Sequence, residues 1–221
     1  MNLDLAYPDD EQYWRSVFAN KISTPESWIE VSKTLIYSMQ CMRGPLIDFW
    51  KSFLNLQVGE SFPLNKRIHG VYLMLGAYAA ENLLKAMLLK QHVELGNKNI
   101  IAIPKQIKSH RLLDLAAAAD VELTTHGSEL LARLSEYAIW AGRYPTPTKQ
   151  QELMPREIST DRLATLTFWR SSDIRSIDEF ISHLMQRLGV SSFLDPSFSG
   201  YSAEKEEWES YVAQEQVTPW Q

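Results

Sequence analysis

Along most of the chain, apolar positions recur at steps of three and four, the spacing of an amphipathic helix rather than the alternation of a strand. The clearest case runs from about Lys66 to Glu94. There Ile68, Tyr72, Leu75, Ala79, Leu83 and Ala86 form one stripe, which Val71, Met74, Tyr78, Leu84 and Leu88 widen. A stripe that broad predicts a central helix. Glu81 and Lys85 sit four apart on it, in the favourable order for a helical ion pair. Upstream, Thr24-Pro25-Glu26 supplies an N-cap, a first-position proline and an acidic first turn. The helix opened there is expected to stop near Met42, before Gly44-Pro45, with a short second piece from Leu46 to Leu56.

Past a loop from Leu95 to Lys108, Ser109 is expected to cap a short helix, His110 to Ala119. Another helix runs from about Gly127 to Ala141, carrying Leu130, Leu131, Leu134, Tyr137, Ala138 and Trp140. Gly142-Arg143-Tyr144-Pro145-Thr146-Pro147 ends it sharply. Ser159-Thr160-Asp161 predicts the start of a last helix reaching Leu188, with a stripe through Leu163, Leu166, Trp169 or Arg170, Ile174, Ile177, Phe180, Ile181 and Leu184. About 30 residues would span roughly 45 Å, the spine of a bundle. After Gly189 the composition turns to Ser, Pro, Gly and acid, and Trp208, Tyr211 and Val212 fall at helical spacing among glutamates. The pattern predicts an all-α fold. It divides into a helical N-terminal extension (1–60), a helical bundle (61–190) and a partly helical acidic tail (191–221).

Composition narrows the function classes. Of the 221 residues, 45% are apolar and 22% charged, ordinary for a globular protein. A formal net charge of −5 argues against bulk attraction to nucleic acid or anionic membrane and leaves room for a local basic patch. One segment fits that description. Between Leu95 and Leu113 there is no acid, while Lys98, Lys105, Lys108 and Arg111 are present, as a phosphate-contacting segment or a solvated basic loop. The single cysteine, Cys41, excludes an intrachain disulfide and a cysteine-rich metal site, and reads most simply as a small buried side chain. No two of the five histidines, at 69, 92, 110, 126 and 183, stand at ligand spacing, so neither a metal nor a cofactor is expected. Glycine-rich phosphate loops and nucleophile elbows are absent from the sequence. The first residues lack the basic and apolar regions of a signal peptide, and the run from Val71 to Ala80 is about half of the roughly 20 residues a bilayer crossing needs. A cytoplasmic protein without membrane contact is the expectation.

Three segments in order carry a family resemblance. Ala79-Ala80-Glu81-Asn82-Leu83-Leu84-Lys85-Ala86-Met87-Leu88 lies on the central helix. Ser109-His110-Arg111-Leu112-Leu113-Asp114-Leu115 looks like an H-x-L-x-x-L turn. Leu134-Ser135-Glu136-Tyr137-Ala138-Ile139-Trp140-Ala141-Gly142-Arg143-Tyr144-Pro145 ends on R-Y-P. Together they resemble the HEPN family, the higher-eukaryote and prokaryote nucleotide-binding helical domains, over about half of the chain. The resemblance implies an up-and-down helical bundle, a homodimer, and a role in bacterial-type stress or defence, including toxin–antitoxin systems. It also implies either metal-independent ribonuclease activity or nucleotide or RNA binding without catalysis. Catalytic members carry Arg, four to six residues, then His: the arginine holds the scissile phosphate and the histidine moves a proton.

Here the matching arginine is Arg143, and the positions five to seven after it are Thr148, Lys149 and Gln150. The nearest approach to the motif elsewhere is Arg175 to His183, one residue too long. The expectation is therefore a nucleotide- or RNA-binding module. A ribonuclease with a substituted proton-transfer residue, Lys149 or a histidine brought in from elsewhere, is the alternative, and a protein-interaction scaffold using the acidic tail is a third. Arg143 has two readings, phosphate holder or support for its helix C-terminus, and Tyr144 either stacks on a base or packs beneath the loop. By the resemblance, Glu81, Asn82 and Lys85 face the same cleft; as bare sequence they are a helical ion pair and its neighbour on a solvated edge. His110 reads as structural, capping or functional, and Lys149 and Arg111 complete the candidate ligand-binding set.

Overall fold

The computed structural model describes residues 11–54, 68–91, 105–144, 147, 149–154, 156–159, 162–164 and 172–191. Six α-helices stand among them: α1 (Glu11–Ser23), α2 (Pro25–Leu54), α3 (Ile68–Gln91), α4 (Leu112–Ala118), α5 (Thr125–Glu136) and α6 (Ser172–Leu188). One small antiparallel ribbon, β1 (Arg156–Ser159) with β2 (Arg162–Ala164), precedes α6. The fold is an all-α helical bundle, and no described helix is long and apolar enough to cross a membrane.

α3 is central, as its wide stripe predicts. Tyr72, Ala77, Ala79, Ala80, Leu83, Leu84, Ala86 and Leu88 are buried, so apolar residues face inward around most of the helix. α2 lies along it and supplies Ile29, Ile36, Met39, Leu46 and Phe49 to the same core. The small Ala79 lets the backbones approach closely enough for Ser32 Oγ to donate to its carbonyl at 3.0 Å. α6 packs on α3 from another side through Ile177, Ile181, Leu184, Met185 and Leu188. A Cβ built at Gly76 would meet Ile177 Cγ2 at 2.9 Å and Met39 Cε at 3.2 Å, so a glycine keeps the three helices in contact there.

Two expected boundaries are corrected. α2 runs unbroken through Gly44-Pro45 to Leu54. An interior proline costs about 3 kcal/mol, whereas burying two large apolar side chains returns about 1.5–3 kcal/mol each. Leu46 and Phe49, just beyond Pro45, are both buried, and Phe49 stacks at 5.3 Å on the ring of His69 of α3. Packing therefore overrides the breaker. The last helix begins at Ser172 rather than Ser159 and spans 17 residues, and Leu163 lies in β2. A serine that could cap a helix fits other backbone positions as readily, and here Ser159 ends β1, paired with Arg162 of β2. Leu166, Trp169, Arg170, Lys98 and the acidic tail lie outside the described residues.

The termini of the middle helices follow their capping chemistry. Thr124 Oγ1 accepts from the Gly127 amide and opens α5, as its N-cap position allows. α4 starts two residues later than expected: Ser109 Oγ accepts from the Arg111 amide instead, and the Leu112 amide donates to Ser135 Oγ of α5 at 3.0 Å. α5 then widens into one π turn, Tyr137–Ala141, before the chain leaves the bundle at Gly142.

Candidate functional site

Two groups of candidate side chains attach to the middle of α3, one through Glu81 and one through Tyr78. The first is built on Glu81, whose side chain is 7% exposed and pairs with Lys85 Nζ at 2.6 Å, the lysine being 5% exposed. The Lys85 ammonium lies 5.2 Å from the centre of the Trp28 ring of α2, which covers it. The solvated-edge reading of this pair is thus replaced by a buried one. His110 completes the group. Its Nδ1 lies 3.0 Å from Glu81 Oε1 and 3.2 Å from Oε2, while 64% of its side chain is exposed. Burying a lysine–carboxylate pair is expensive unless further hydrogen bonds complete it. Here the histidine supplies one, and its donation from Nδ1 leaves Nε2 as the acceptor of the neutral ring.

The second group is carried by the π turn. Arg143 NH2 donates to the carbonyls of Ala138, at 2.9 Å, and Ile139, at 2.5 Å, so the arginine does support the end of its own helix. Its Nε and NH1 form no hydrogen bond with any described residue. The Arg143 guanidinium carbon lies 5.5 Å from the centre of the Tyr144 ring, and Tyr144 is 57% exposed rather than packed beneath the loop. An arginine with donors to spare beside an accessible aromatic ring can hold a phosphate and stack a base.

Gly142 makes this placement possible. A Cβ there would stand 2.5 Å from Met74 Cβ, so only glycine lets the turn settle onto α3. Tyr78, one turn before Glu81, then donates its hydroxyl to Ala138 O at 2.8 Å, the same acceptor that Arg143 uses. Tyr78 and Glu81, through which the two groups reach α3, are three residues apart, an advance of about 4.5 Å. Burial raises the Tyr78 hydroxyl pKa above its ordinary value; the Arg143 charge opposes that shift, and Glu81 and Tyr144 add to it.

The remaining candidates fall elsewhere. Asn82 Nδ2 donates at 2.7 Å to the Tyr78 carbonyl one turn back along its own helix. Arg111, Lys105 and Lys108 are exposed near His110 in sequence, Lys105 opening the short 3-10 turn Lys105–Ile107 and Lys108 following it. Lys149 is exposed at the start of another such turn, Gln150–Leu153, and no described contact joins it to the other candidates. Sequence reasoning missed Trp28, Tyr78 and Ser135. The first two read as core aromatics, and the third is one of many serines. Among the described residues no cluster of three His, Cys, Asp or Glu side chains is placed to hold a metal. Neither a family model nor any curated protein or solved structure matches the chain.

Proposed function

We propose that the protein is a HEPN-like module that binds a nucleotide or single-stranded RNA over the middle of α3, in a bacterial-type stress or defence setting. The observation that carries this reading is Arg143 with unused donors beside an exposed Tyr144 ring, held on the bundle by Gly142. Phosphate would pair with the guanidinium and a base would stack on the tyrosine. Arg111, Lys105 and Lys108 extend positive charge toward the His110 end, and together they offset the chain's overall negative charge locally. By the resemblance the module is a cytoplasmic homodimer, and sedimentation of the purified chain tests the dimer.

The binding test is a fluorescence titration of a labelled 2′-O-methyl single-stranded RNA, at two salt concentrations. The wild type is expected to bind, more weakly at higher salt. Tyr144→Ala, a change at an exposed position, is expected to lose about 1–3 kcal/mol of binding, the usual worth of one stacked base. Arg143→Gln is expected to weaken binding and flatten its salt dependence. No binding by the wild type, or equal binding by both variants, would refute the proposal.

A further inference from the structure

We propose that His110 is a phosphoryl acceptor, whose Nε2 takes a phosphoryl group from a phosphoramidate, the bond type of another phosphorylated imidazole. The site is separate from Arg143 and Tyr144 and stands without the binding reading above.

Both oxygens of Glu81 face Nδ1 of His110, at 3.0 and 3.2 Å. An ionised carboxylate only accepts, so Nδ1 carries the proton of the neutral ring and the free lone pair lies on Nε2. That unprotonated nitrogen is the nucleophile of an imidazole. Its support is itself fixed, because Lys85 holds the same carboxylate at 2.6 Å and the Trp28 ring lies against the ammonium. The imidazole is nevertheless 64% exposed, open to a donor as large as another protein. His126 and His183 are exposed as well, and they make the contrast. Nε2 of His126 is engaged by Ser176 Oγ at 3.2 Å, and among the described residues no carboxylate bonds to either ring.

A neutral imidazole that takes up a phosphoryl group gains a positive charge on its ring. The Glu81 carboxylate on Nδ1 stands where it offsets that charge. The step is a displacement at phosphorus: the Nε2–P bond forms, the donor P–N bond breaks, and the leaving nitrogen keeps the bonding pair. From phosphoramidate itself that nitrogen departs as ammonia, which takes a proton from water. One P–N bond replaces another, so the transfer calls for no further energy source. The surroundings in sequence have the matching charge. No acid occurs between Leu95 and Leu113, while Lys105, Lys108 and Arg111 are exposed there and draw an anionic donor. His110 touches the donor, and Glu81 acts through it as a positioning residue.

The test incubates the purified chain with phosphoramidate, reading the labelled position by peptide mass spectrometry and the labelled ring nitrogen by phosphorus NMR. The wild type is expected to take the group on Nε2 of His110 at least about tenfold faster than on His126 or His183, the least that one charge-assisted hydrogen bond is worth. His110→Gln is expected to lose this fast phase. In denaturant, where Glu81 no longer supports the ring, the preference for His110 is expected to vanish. Glu81→Gln, checked for folding by circular dichroism, is expected to slow labelling of His110 about tenfold and to let Nδ1 compete as the point of attachment. A merely structural contact would leave that choice of nitrogen unchanged. Equal labelling of the three exposed histidines in the folded chain, attachment at Nδ1 in the wild type, or an unchanged rate and isomer in folded Glu81→Gln overturns the proposal.

Discussion

The hydroxyl of Tyr78 and the guanidinium of Arg143 converge on one acceptor, the carbonyl oxygen of Ala138, at 2.8 and 2.9 Å. The π turn frees that carbonyl from regular helical pairing, and two side chains complete it, one from α3 and one from the end of the turn itself. The candidate arginine is therefore held by the same bond pattern that joins the turn to α3.

Removing one of the two donors separates their roles. Tyr78→Phe should lower stability by about 1 kcal/mol, the net worth of one such bond, and leave Arg143 on Ala138. Thermal melting should show a drop of a few degrees, while RNA affinity should change less than in Arg143→Gln. A larger loss of affinity in Tyr78→Phe would mean that the tyrosine, not the arginine, sets the site.

Two glycines predict unequal outcomes of the same change. Gly142→Ala puts a Cβ 2.5 Å from Met74 Cβ, whereas a Cβ at Gly44 meets nothing within 4 Å beyond its chain neighbours. The first should cost about 1–3 kcal/mol, as overpacking does, and weaken ligand binding by displacing Arg143 and Tyr144. The second should change stability less, because the gain of about 0.5–1 kcal/mol in helix propensity is opposed by crowding of the new Cβ against the Pro45 ring. Denaturant midpoints of the two variants, measured side by side, check the contrast.

Asp178 of α6 gives a pH dependence whose sign runs against the usual acidic case. Burial pushes its carboxyl up to about 6, although the Arg43 guanidinium beside it and the Tyr72 hydroxyl pull the other way, and Glu179 adds to the rise. Because the folded value exceeds the unfolded one near 3.8, the folded chain binds the proton more tightly. This contribution is full below about pH 4 and is lost as pH rises through 6, on the order of 1–3 kcal/mol. Urea unfolding between pH 4 and 7 should show that component, and Asp178→Asn should remove it.

Arg133 of α5 pairs with Asp173 of α6, and both side chains are 2% exposed. Truncating one partner leaves a buried charge without compensation, at a cost of about 3–5 kcal/mol. Arg133→Met should accordingly take most of the stability of the bundle, with a loss of α6 first. Hydrogen exchange along Ile177 to Leu188, faster than in α3, would show it.

Much of the fold was legible because helical period survives packing. The α3 stripe, the Thr24-Pro25 start and the stop at Gly142 all follow from local chemistry. The break expected at Pro45 failed because Leu46 and Phe49 gain more by burial than the proline loses, and no local rule contains that comparison. The start of α6 failed because a serine that could cap a helix serves other positions as well, and Ser159 pairs with Arg162 in the ribbon. At the site, Glu81 and Lys85 have the spacing of any surface pair, and only the approach of Trp28 from α2 shows that they are buried. The contact between Glu81 and His110 joins residues 29 apart, so spacing carries no trace of it. Arg143 was readable in both its roles, since one nitrogen caps the helix while others remain for a ligand.

Ser135 Oγ passes a hydrogen bond from one helix to another, accepting from the Leu112 amide and donating to the Leu131 carbonyl. An amide in the first turn of a short helix ordinarily has no partner and exchanges with solvent within the fraying time of that turn. Leu112 instead stays protected for as long as α4 remains docked on α5. One backbone proton therefore reports whether the segment presenting His110 is seated against the bundle.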